Sequence, residues 1–134
     1  MVSAPRFKLS EAIAVFALIV VAGCGNSNGP EGKIIARIGG PEGGVTAIIS
    51  KVDGGATVST GYRVYLQATD SKTAVSEVLR MDKGAAPRVA WTGNGIRIDV
   101  PCGQIYKFTN FAVLTVAGQI QKMPVTLVNR GLCP

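Results

Sequence analysis

Between the β-prone runs KIIARI and VTAIISKV stands Gly39-Gly40-Pro41-Glu42-Gly43-Gly44, a cluster that no helix survives and that reverses a chain between two strands. The same grammar repeats downstream. Asp53-Gly54-Gly55 leads into TVSTGYRVYLQAT, Thr92-Gly93-Asn94-Gly95 separates PRVAW from IRIDV, and Gly118-Gln119 separates FAVLTVA from IQKMPVTLV. Short runs of alternating apolar and polar residues, each bounded by glycine-rich punctuation, predict antiparallel hairpins. The expected class is therefore all-β, mainly an antiparallel sheet or a small sandwich.

Alternation also assigns faces. Tyr62, Val64 and Leu66 point one way and Arg63, Tyr65 and Gln67 the other, because successive side chains of a strand leave on opposite sides. In IRIDV, Ile96, Ile98 and Val100 are expected inward, with Arg97 and Asp99 outward. Pro124 restricts the last run to an edge or forces a bulge, since it lacks the N–H that a ladder needs. One stretch, residues 70–84, admits a helix: Val75, Val78, Leu79 and Asp82 lie near helical spacing, and Asp70 or Ser71 can cap it. The spacing leaves a short helix near 72–81 and an irregular crossover equally open.

The first 24 residues follow different rules. MVSAPRFKLSE carries Arg6 and Lys8, and AIAVFALIVVAG follows as an apolar run of twelve. About 20 apolar residues are needed to cross a bilayer, so the run has the dimensions of the hydrophobic region of a signal peptide. It ends in Val21-Ala22-Gly23-Cys24, which resembles the lipobox of bacterial lipoproteins. That resemblance implies diacylglyceryl transfer to the thiol of Cys24, recognition of Val21, Ala22 and Gly23 by the signal peptidase, and cleavage before Cys24. Domains are thus expected as a cleaved signal helix over 1–23, a flexible tether over 24–32 and one β-rich domain over 33–134. Gly25, where an aspartate would favour inner-membrane retention, resembles the outer-membrane sorting pattern. In a Gram-negative cell the expected location is the periplasmic face of the outer membrane.

With Cys24 assigned to lipid, Cys102 and Cys133 remain as a pair in an oxidising compartment. A bridge between them is the leading expectation, with two buried free thiols as the alternative. The chain has no histidine, and two thiols alone make a poor zinc cage. No metal and no cofactor are expected.

A second resemblance covers about residues 45–111. The Asp53-Gly54-Gly55-Ala56-Thr57 turn and the Tyr62-Arg63-Val64-Tyr65 strand are similar to those of a group of small bacterial proteins with no assigned activity. It implies a self-contained β module and no reaction.

The search for chemistry gives little. Asp53, Asp70, Asp82, Asp99, Glu31, Glu42 and Glu77 fall singly in turns or on strands, and no spacing pairs two carboxylates for acid–base work. A non-enzyme is expected. SNGPEGKI lacks the phosphate-loop pattern, with Ser27 where glycine is needed and Ile34 where Ser or Thr is needed. After removal of the segment carrying Arg6, Lys8 and Glu11, twelve basic residues face seven acidic ones. Arg63 and Tyr65 on one strand and Arg97 on another suggest a face able to grip anionic groups by forked hydrogen bonds and stacking, against the plainer reading of a solvated basic surface. Beyond the cytoplasm the partners would be the membrane itself, an envelope protein or an anionic envelope polymer, not nucleic acid. The functional expectation is a non-catalytic binding or structural lipoprotein of the envelope. A small envelope hydrolase and a phage- or plasmid-encoded surface-exclusion lipoprotein are the alternatives.

Overall fold

The computed structural model describes residues 29–54, 59–71 and 74–134. Among these residues nine strands form two sheets: β1 Lys33–Gly39, β2 Val45–Val52, β3 Gly61–Ala68, β4 Ser76–Asp82, β5 Arg88–Trp91, β6 Ile96–Val100, β7 Gln104–Phe108, β8 Phe111–Val116 and β9 Gln119–Asn129. The first sheet runs β1-β2-β3-β4-β7 and is antiparallel throughout. The second runs β5-β6-β9-β8, with β6 and β9 parallel. Facing residues of both sheets make one core: Ala47, Ile49, Val64, Leu66, Leu79 and Met81 meet Ile96, Ile98, Val100, Ala112 and Leu114. The fold is an all-β sandwich, each sheet burying the apolar face that it cannot expose.

The hairpins flanking the glycine-rich turns form as the alternation predicts, and Ile96, Ile98 and Val100 are buried. Among the described residues there is no helix, and the stretch that admitted one contains β4. Its pattern misleads for a local reason. Val64 pairs with Leu79 and Tyr65 with Glu77, which leaves Val78 as an extra residue in a β-bulge. Both Val78 and Leu79 are then buried in the core, and two adjacent apolar residues imitate helical spacing. Residues 72 and 73 of that stretch, and Gly55 to Val58 of the turn after Asp53, lie outside the described residues.

Pro124 is accommodated by a change of partner. Gln119 to Pro124 pair with β8, whereas Val125 to Asn129 pair with β6. Along its first half β9 has one neighbour, so the expected edge character holds locally, although the strand stands between two others in the sheet order. The ladder with β6 begins one residue after the proline and loses no donor to it. Gly95 packs tightly against this switch: a Cβ there would lie 2.4 Å from the carbonyl oxygen of Pro124.

The β8–β9 turn is Ala117-Gly118, one residue earlier than the sequence suggests, with φ of 51° and 77°. Two positive φ values in a two-residue hairpin loop suit Asn-Gly best, and alanine bears a steric cost there. Ala117→Asn is expected to stabilise the domain by about 0.5–1 kcal/mol, read as a higher midpoint in urea unfolding. An unchanged or lower midpoint contradicts the strain.

Candidate functional site

Val21, Ala22, Gly23 and Cys24, like the tether as far as Asn28, lie outside the described residues. The other two cysteines are bonded: Cys102 and Cys133 form a disulfide with a Cα–Cα distance of 4.8 Å. Cys102 stands at the crossover where the chain leaves β6 for β7, and Cys133 follows β9. Adjacent backbone bonds, Arg130 N–H to the Val100 carbonyl and Gly103 N–H to the Gly131 carbonyl, continue the β6–β9 alignment up to the bridge.

The three residues expected to share a ligand-gripping face are divided. Arg63 and Tyr65 lie on the outer side of the first sheet, and Arg97 on the outer side of the second. Alternation fixes which way a side chain points relative to its own sheet; it cannot say which sheet. Nor is Arg63 free to grip an anion. Its side chain is 13% exposed and stands 3.9 Å from both Glu77 and Asp82. Glu77 also meets Arg80 at 2.9 Å and Lys107 at 3.4 Å. Three cations around one carboxylate form a closed charge network rather than an open receptor. Tyr65 is 4% exposed, and burial raises the pKa of its phenol above the ordinary value. Its hydroxyl accepts a hydrogen bond from the backbone N–H of Glu31 at 3.0 Å, so the chain entering β1 lies across this face. Gly32, at φ 83°, supplies the left-handed turn that carries the chain from there into β1.

Arg97 is exposed. Beside it on the second sheet, Asp99 accepts hydrogen bonds from Arg130 at 3.3 Å, which lower its carboxyl pKa. Farther across that face Phe111, Val113 and Ile120 are exposed, and the Lys122 ammonium rests 4.5 Å from the Phe111 ring centroid.

A concave site occurs elsewhere, at the pole opposite the disulfide. The β1–β2 turn, the β5–β6 turn and the β8–β9 hairpin enclose a cleft of about 320 Å³. Trp91, Asn94, Glu42 and Gln121 contribute to its lining. Trp91 reaches across from the second sheet, and its indole N–H donates to the Ile38 carbonyl of the first at 3.2 Å, fixing the ring at the mouth of the sandwich. In the sequence these segments are marked as turns by their glycines. Nothing in the sequence says that turns some 50 and 80 residues apart converge. The available signal is that both glycine-rich loops begin or end beside inward-facing strand residues, Val45 and Trp91.

Among the described residues no group of three His, Cys, Asp or Glu side chains is placed to hold a metal ion. Compared with known proteins, the chain matches no family model, no curated protein and no solved structure.

Proposed function

We propose that the chain is a bacterial envelope lipoprotein: lipid on Cys24 anchors it to a membrane outside the cytoplasm, and the β-sandwich is a non-catalytic binding module. The observation that carries this reading is the pairing of the cysteines. The bridge from Cys102 to Cys133 uses two of the three cysteines and leaves the one that ends the lipobox-like Val21-Ala22-Gly23-Cys24. Disulfides persist in oxidising compartments, which agrees with export behind a signal peptide. Two or three acyl chains, at about 0.8 kcal/mol for each buried methylene, give durable membrane attachment.

The cleft supports binding over hydrolysis. Among the described residues Glu42 is the one carboxylate that lines it, whereas glycoside hydrolysis, for example, works through two carboxylates placed across a bond. Outer-membrane placement follows from Gly25 for a Gram-negative source. In cells, Cys24→Ala is expected to abolish labelling by a clickable palmitate analogue and to leave the unprocessed precursor. Normal processing with membrane retention in that variant would overturn the lipoprotein reading.

A further inference from the structure

The geometry points to the cleft at the Trp91 pole as a binding site for a short neutral oligosaccharide. This deepens the binding-module part of the proposed function; the outward placement of the cleft draws on the anchor at Cys24, and its chemistry and charge do not.

A sugar ring offers weakly positive C–H faces and a rim of hydroxyls that both donate and accept. Its natural receptor combines an aromatic surface, whose π-face is negative, with amide and hydroxyl groups able to pair in both directions. The cleft supplies Trp91 as the aromatic wall and Asn94, Gln121 and Thr92 as polar groups. The side chains of Asn94 and Gln121 make no hydrogen bond among the described residues, so their amides are open to a ligand. Thr92 Oγ1 accepts from the Gly95 N–H at 3.2 Å and retains its own proton for donation.

Glu42 and Lys122 line the cleft together, one of each sign, and the Lys122 ammonium is drawn away over Phe111. Phosphates and acidic polymers find no concentration of positive charge here, as they would at a cluster of Arg and Lys. A neutral, polyhydroxylated ligand suits this balance.

At about 320 Å³ the cleft falls at the small end of the ~300–1,000 Å³ typical of ligand sites. Gly40 stands beside the indole, where a Cβ would lie 3.4 Å from its Cζ2, so no side chain from that position crowds the ring. The chain enters β1 at the other pole, where Lys33 pairs with Lys51, and β1 then runs toward the cleft. A protein held from its amino-terminal side presents the cleft at its far end, toward the polymers around the membrane.

Trp91 is the one tryptophan of the chain, so fluorescence excited at the red edge, where tyrosine does not absorb, reads this site. The mature protein, purified in a non-glycosidic detergent, is titrated with chitotetraose, cellotetraose and maltotetraose. At least one is expected to change Trp91 emission saturably, with a dissociation constant on the order of 1 mM or tighter. Asn94→Ala and Gln121→Ala should each weaken that binding about fivefold, the loss of one hydrogen bond, without moving the unfolding midpoint. Silence with all three sugars overturns the proposal, as does binding that both variants leave intact. A saturable response to glycerol phosphate, the soluble headgroup unit of phosphatidylglycerol, in place of the sugars also overturns it, by assigning the cleft to a lipid headgroup. Failed palmitate labelling would remove the anchor and leave this titration standing, so the two readings fail separately.

Discussion

Replacing Cys102 and Cys133 together by serine is expected to lower the stability of the domain by about 3–4 kcal/mol. The two cysteines are 31 residues apart in sequence, and opening a loop of that length restores the chain entropy that the bridge withholds from the unfolded state. For a domain of about 100 residues each kcal/mol moves the thermal midpoint by ~4–8 °C, so the midpoint should fall by roughly 12–32 °C. The effect concentrates where the bridge joins the crossover after β6 to the segment after β9. Urea unfolding of the oxidised protein beside the double variant measures it. Equal stabilities would mean that the pole is already held by the Arg130 and Gly103 backbone bonds.

The second large effect is in the core. Leu66 lies on the middle strand of the five-stranded sheet, fully buried against the second sheet. Leu66→Ala removes three carbons from a site whose neighbours come from two separately folded layers, and these cannot both collapse inward. A loss of about 2–5 kcal/mol is expected. Ile120→Ser is the control: Ile120 is 79% exposed in the β8–β9 hairpin, and its replacement should stay within about 0.5 kcal/mol of the parent. Similar losses at the two positions would contradict the assignment of inner and outer faces. Since domains retain about 5–15 kcal/mol in total, Leu66→Ala combined with the cysteine replacements should leave little folded protein at 37 °C.

The faces of β3 and β6 were legible because a period of two survives in TGYRVYLQ and IRIDV. Where a bulge breaks that period, as at Val78-Leu79, strand and helix became indistinguishable. β7 escaped notice for a related reason: Tyr106 is a bulge residue opposite the Arg80–Met81 step, so Gln-Ile-Tyr-Lys-Phe shows no clean alternation. Sheet membership was not legible at all. The pairing of β4 with β7 and of β6 with β9 joins segments more than 20 residues apart, and local pattern carries no trace of it. For the same reason Arg63 and Arg97 read as one surface when they occupy two. The cleft lay outside the reach of the sequence because it belongs to no single segment.

The parallel ladder between β6 and β9 also sets an order of events. Parallel strands register only after the intervening chain has been laid down, and such long-range pairings are slow to form. Residues 101–124, which carry β7, β8 and the first half of β9, must therefore be laid down before Val125 can settle beside Ile96. Cys133 lies 31 residues after Cys102, so a chain emerging amino-terminus first exposes Cys102 before its native partner has appeared. During that interval the cysteine ahead of it in the sequence, Cys24, is a competing partner. Lipid on Cys24 would then have a kinetic benefit apart from anchorage, since a thioether cannot enter disulfide exchange and mispairing of Cys24 with Cys102 is closed.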